Sequence, residues 1–208
     1  MRVSLWVVVA LTTPGFMFAS ALAQPQRAVA ALVLSEGMVY VNDRSIDANA
    51  TPFVLPDVAL LHTTQGRAAV GLKRGAALFL DTESSVRVRG NGLYNFNRLE
   101  VLSGSAIVAS GTSAPLVDCE SQISLSSAGL FRFDAKPVDA AGERPCRIRV
   151  YEGAAAIPLV TVTNALRAGQ SMTCNRRCGD MIPTIEFSPT QLDGFDEWVR
   201  RVQRQFKN

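Results

Sequence analysis

Short stretches of strict alternation run through the middle of the chain. Arg67-Ala68-Ala69-Val70-Gly71-Leu72 puts Ala68, Val70 and Leu72 on one face, and Ser85-Val86-Arg87-Val88-Arg89 puts two valines in and two arginines out. Phe131 and Phe133 alternate with Arg132 and Asp134, Ile148 and Val150 with Arg147 and Arg149, and Val160 and Val162 with Thr161 and Thr163. A period of two with charge on the opposite face predicts half-buried strands. Gln65-Gly66, Arg74-Gly75, Gly90-Asn91-Gly92, Ser103-Gly104, Glu152-Gly153 and Ala168-Gly169 separate them and predict tight reversals. No helical pattern falls between the strands, which excludes a βαβ arrangement. The pattern predicts an all-β domain over residues 24–187, a sandwich or short solenoid of many short strands. Asp43 to Pro56 and Asp134 to Pro145 read as loops, the second as an exposed hairpin loop.

The period changes near the end. Leu192, Phe195, Trp198, Val199, Val202 and Phe206 recur at helical spacing, with Asp193, Asp196 and Glu197 early and Arg200, Arg201, Arg204 and Lys207 late. Ser188-Pro189-Thr190-Gln191 carries start signals: Ser188 as N-cap, Pro189 at the first helical position and Gln191 three residues after the cap. The spacing predicts one amphipathic helix within 188–208 whose apolar stripe packs on the β-domain. Gly194 is the one residue that speaks against it.

The beginning differs again. Arg2 is followed by an uncharged, apolar segment from Val3 to Ala23 that closes on Ala21-Leu22-Ala23 before Gln24-Pro25. A basic start, an apolar centre and small residues at the end predict a signal peptide over 1–23, cleaved between Ala23 and Gln24. No later run is long enough for a membrane span, so the expected location is the periplasm or the outside of the cell. That compartment changes how Cys119, Cys146, Cys174 and Cys178 read. An even number of cysteines in an oxidising environment predicts two disulfides. Four cysteines allow three connectivities, of which Cys119–Cys146 with Cys174–Cys178 closes the shortest loops. The three residues between Cys174 and Cys178 do not match a zinc-binding pair, and no metal site is expected.

Composition removes more chemistry than it adds. The 208 residues carry 21 Lys+Arg against 18 Asp+Glu, a formal charge of +3 that gives no reason to expect a nucleic-acid partner. A charged content of 19% beside 48% hydrophobic residues excludes a disordered chain. The one histidine, His62, has no nucleophile-elbow sequence nearby, and no phosphate loop, dinucleotide fingerprint or calcium loop is present. No catalytic residue and no cofactor are expected, and the chain does not read as an enzyme. Arg87, Arg89 and Arg98 with Tyr94 and Phe96 form a basic-aromatic cluster. Arg87, Arg89, Tyr94 and Phe96 are its candidate interaction surface.

The order of these segments resembles a known family. Leu34-Ser35-Glu36-Gly37-Met38-Val39-Tyr40-Val41-Asn42, Leu60 to Leu72, Gly75 to Val88 and Leu99 to Val108 are similar in type and order to successive strands of the FecR domain of bacterial envelope proteins. Val150-Tyr151-Glu152-Gly153-Ala154-Ala155 and Leu166-Arg167-Ala168-Gly169-Gln170 resemble its later elements. At Leu72-Lys73-Arg74-Gly75-Ala76 the acidic turn residue usual in the family is missing. The resemblance implies a FecR-like β-domain that acts without catalysis as an envelope sensing or protein-interaction module. A helical sigma-factor-binding region is not expected, because the leader comes first. The expected partner is an envelope protein. The alternative is a cell-wall or extracellular polysaccharide bound at the basic-aromatic cluster.

Overall fold

The computed structural model describes residues 30–47, 53–90, 96–138, 140, 142, 144–158, 163–175 and 184–206. The signal-peptide residues and the Ala23–Gln24 junction therefore lie outside the described residues, as do Tyr94 and Cys178. Among the described residues there are fifteen strands in one connected sheet and one α-helix, an all-β fold with a helical end.

Three strands are long. β1 (Ala30–Val41) pairs antiparallel with β4 (Val58–Leu72), and both are bent rather than broken by glycine. Gly37 and Gly66 face each other in register. A Cβ on Gly66 would lie 1.8 Å from the Glu36 carbonyl oxygen, so only glycine lets the two backbones cross there. Gln65-Gly66 is thus a bend inside a strand and not the reversal its sequence predicts. The same holds for Ser103-Gly104, inside β7 (Phe96–Ala109).

Bending lets each long strand serve two neighbours. The first half of β4 pairs with β6 (Ser85–Gly90) and its second half with β5 (Ala77–Leu80); β7 does the same from the other side. The other twelve strands have seven residues or fewer, as the alternation predicts, and the three long ones tie them together. Asp43–Pro56 also holds more order than a loop, with β2 (Arg44–Ile46) and β3 (Phe53–Val54) both pairing with β1.

The second half extends the sheet. β8 (Leu116–Asp118) lies parallel to the first half of β7, followed by β9 (Gln122–Leu125), while β10 (Leu130–Ala135) pairs antiparallel with the second half of β7. β11 (Cys146–Glu152) makes a hairpin with β10, closed where the Lys136 amide donates to the Pro145 carbonyl at 2.9 Å. β12 (Ala154–Pro158) and β13 (Thr163–Arg167) continue from β9, and β14 (Gln170–Cys174) and β15 (Ile185–Glu186) from β11.

The inner faces enclose one core. Leu61, Val70, Leu78, Val86, Val108, Ile123, Phe131, Phe133, Ile148 and Val150 belong to it and are fully buried. Cys119 and Cys146 are disulfide-bonded within this core, one of the two pairings that close the shortest loops. Cys174, opposite Cys146 on β14, is disulfide-bonded too.

A second apolar cluster lies outside the sheet. α1 (Gly194–Phe206) sets Phe195, Trp198, Val199 and Val202 against Ala69, Phe79, Ile107, Leu130 and Tyr151. Trp198 meets Phe79 edge to face, with ring centroids 6.1 Å apart. The helix packs on the β-domain as its stripe predicts, but it starts later. Ser188-Pro189 precedes it in extended and turn conformation, and Asp193 is the residue that caps it. Asp193 Oδ1 accepts from the amides of Phe195 and Asp196, both at 3.0 Å, and the Asp193 amide donates to Asp196 Oδ2 at 3.1 Å. This is a reciprocal cap of two aspartates. Gly194 falls in the first turn, where it interrupts nothing.

Candidate interaction surfaces

The basic-aromatic cluster is partly assembled. Arg87 lies directly opposite Glu100 across β6 and β7 and donates to its Oε2 at 2.7 Å; Arg89 reaches the same oxygen at 3.5 Å. Arg98 pairs with Asp118 on β8. Phe96 is opposite Gly90 in register at the end of β7, and its side chain lies outside the described residues. Cross-strand carboxylates thus answer the charges of Arg87, Arg89 and Arg98, and the surface is a ladder of alternating sign rather than a basic patch.

His62 is half-buried within β4, its ring 6.2 Å from that of Tyr40. No group of His, Cys, Asp and Glu among the described residues is arranged to hold a metal.

A denser cluster lies on the outer face beside the helix. Along β10 and β11, the residues between the core positions are Arg132, Asp134, Arg147, Arg149 and Tyr151. Arg132 is only 7% exposed in its side chain. Its Nε donates to Asp134 Oδ1 at 2.8 Å, and its Nη1 to Asp193 Oδ2 at 2.6 Å and Asp196 Oδ1 at 2.9 Å. Its guanidinium also sits 5.4 Å from the centre of the Phe195 ring. Asp134 accepts further from Arg149 Nη2 at 2.8 Å and from the Ser105 hydroxyl at 2.7 Å. The Tyr151 hydroxyl donates to Asp196 Oδ1 at 2.9 Å.

The electrostatics follow from burial and charge together. Burial opposes the charged Arg132, but Asp134, Asp196 and Asp193 outweigh it and raise its pKa. Burial likewise works against ionised Asp134, yet Arg132 and Arg149 hold its carboxyl below the usual range. At Asp193 the Asp196 amide and Arg132 overcome burial in the same direction. Burial, with Asp196 adding to it, pushes the Tyr151 phenol up to about 12. Both shifted carboxyls are held ionised, which suits a structural ion network and not a general acid.

Sequence reasoning placed these residues on the outer face but assigned them no part. The signal was there: Asp193 followed three residues on by Asp196, and an arginine and an aspartate alternating with two phenylalanines.

The outer face also carries open grooves. One of about 830 Å³ is lined in part by Thr82, Glu83, Ser105, Asp134, Lys136 and Arg147. A shallower one of about 530 Å³ shares Thr82 and Glu83 with it and extends to Glu36 and Arg67. A recess of about 290 Å³ shares Arg147 and extends to Arg149, Ser188, Gln191 and Asp193.

Fold and surface define a strand-built domain with a docked helical end and polar outer grooves. No family model matches the chain, and no curated protein matches its sequence. Two crystal structures of a protein from Parabacteroides distasonis classed as an anti-sigma factor, at 2.50 and 1.65 Å, share the fold, with TM-scores of 0.52 and 0.51. Identities are 14% and 13%; the match covers 64% of this chain and 62% and 61% of theirs, about three-fifths of their length.

Proposed function

We propose that the chain is an exported, FecR-like module that works in the cell envelope by sensing or relaying through protein contacts, without catalysis. The observation that carries this reading is the fold shared with the anti-sigma factor structures. The FecR-like segments of the sequence fall on β1, β4, β5, β6 and β7 in order, which supports it. The buried Cys119–Cys146 bond fits an oxidising compartment. A leader cleaved after Ala23 would deliver the chain there.

The test is photocrosslinking of the full chain, expressed with its own N-terminus, in intact cells. The expected result is one dominant crosslinked envelope protein, from chain recovered in the envelope fraction with no free thiols. Recovery in the cytosol, or saturable polysaccharide binding with no protein crosslink, would overturn the reading.

A further inference from the structure

Strand register sorts the outer face into rows. Ser105, Asp134, Arg147 and Thr173 are successive cross-strand partners on β7, β10, β11 and β14, and they form one polar row. The next row, Ile107, Arg132, Arg149 and Ser171, runs beside it; α1 covers its Ile107 end. The helix and its lead-in segment stop short of the first row, which is the floor of the 830 Å³ groove. Shared lining residues make the three grooves one trough. Thr82 and Glu83 join it at one end, and Arg147 joins it to the recess under Ser188–Asp193 at the other.

The charges within the trough are unequally committed. Asp134 gives Oδ1 to Arg132 and Ser105 and Oδ2 to Arg149. Asp193 gives Oδ1 to two helix amides and Oδ2 to Arg132. Arg149 spends Nη2 on Asp134. Arg147 is exposed, and among the described residues no acceptor meets its guanidinium; Lys136, also exposed, lines the same groove. Arg147 and Arg149 are two residues apart on one strand, so their side chains leave the sheet about 7 Å apart on the same face. Two guanidinium groups so placed receive one carboxylate between them, with the Ser188 hydroxyl and Gln191 amide at hand in the recess.

We propose that this trough binds an extended polypeptide segment of a partner protein and anchors an acidic side chain or terminal carboxylate of it on Arg147 and Arg149. Across β7, β10, β11 and β14 the floor of the 830 Å³ groove spans three strand spacings, about 14 Å, the length of roughly four extended residues. Hydroxyls and fixed charges lie along this floor beside Pro137, Pro145 and Ile185, and among the described residues no aromatic lines it. Phe187, in the adjoining recess, sets its ring edge to face with Tyr151. At the other end Glu36 and Glu83 suit a basic residue of the same segment. This inference rests on the reading of the chain as a protein-interaction module.

The test is fluorescence anisotropy of the full chain with a fluorescein-labelled peptide of Gly, Ser and Thr carrying an Asp-Glu pair, against the same peptide with Asn-Gln. The acidic peptide should bind saturably, and the amide peptide and Arg147→Ala should each weaken binding at least about tenfold. Arg147→Glu should abolish it, while Arg44→Ala, on β2, should leave it unchanged. Arg147 is exposed, so the melting temperature of its variants should stay at the parent value. Equal binding of the two peptides, no effect of Arg147→Ala, or no binding at millimolar acidic peptide would overturn the proposal. A parent chain that crosslinks to a partner in cells, together with an Arg147→Glu chain that does so equally well, sinks this site and leaves the interaction reading standing. A parent chain that crosslinks to nothing sinks the reading itself.

Discussion

Arg132 and Asp196 lie 64 residues apart in sequence and 2.9 Å apart in space. Their contact joins strand β10 to the first turn of the C-terminal helix inside a buried network of opposite charges. Removing Arg132 leaves Asp134, Asp193 and Asp196 without their common cation. Arg132→Met should therefore cost about 3–5 kcal/mol, the usual result of breaking a buried pair from one side. Chemical denaturation followed by Trp198 fluorescence will show whether the helix leaves its site before the sheet unfolds.

Acid should act through the same network. Asp134 and Asp193 are held below the ordinary aspartate range, so the unfolded chain takes up protons on them before the folded chain does. Their contribution is complete above about pH 4 and is lost as pH falls through their folded values. Melting temperature should hold steady from neutral pH to about pH 5 and fall below about pH 4. Asp134→Asn should flatten that fall.

The phenol of Tyr151 gives the opposite slope. Raised to about 12 from 10.0, it stays protonated in the folded chain where the unfolded chain has begun to ionise. The stabilisation it gives is full below pH 10 and is lost as pH rises towards 12. An absorbance titration of tyrosinate should show one phenol ionising late, and Tyr151→Phe should remove that late step.

Trp198 separates packing from hydrogen bonding. It is 1% exposed, and its indole N–H is buried without an acceptor among the described residues. Trp198→Ala empties the site and should cost about 3–5 kcal/mol. Trp198→Phe keeps much of the volume and removes the unpaired donor, so its cost should be well under half of that. Thermal melts of the two variants side by side decide it.

Gly104 should be equally intolerant for a backbone reason. Its φ is +76°, and a Cβ there would lie 2.4 Å from Ser84 Oγ and 2.6 Å from the Glu83 carbonyl oxygen. Ser84 cannot retreat without losing its hydrogen bonds to the Ser105 backbone, at 3.0 and 2.9 Å. Gly104→Ala should cost more than about 1 kcal/mol, read as a lowered midpoint at unchanged denaturant slope.

The alternation at Ser85–Arg89 and Arg147–Val150 was enough to read strands and their inner faces, because burial on one side leaves a period of two. It did not reveal what covers the outer side. Arg132 alternates with phenylalanines as a solvated arginine would, and only the arrival of α1 buries it. The helix start was missed for a related reason. Ser188 and Pro189 are strong local signals and outweigh the Asp193–Asp196 pair, whose place Arg132 fixes from outside any local window. The glycines at 66 and 104 carry the same letters as turn glycines. Whether such a residue reverses a chain or lets two strands cross depends on the partner strand.

The docked helix also sets a timetable. Ala69, Phe79 and Ile107 are covered by residues near the very end of the chain. At roughly 5–20 residues per second of synthesis, the 95 residues from Ile107 to Val202 take about 5–20 s to make. For that interval the growing sheet shows water an apolar strip that the helix has yet to cover. Nascent chains should be most prone to aggregate, and most in need of a holding chaperone, in that window.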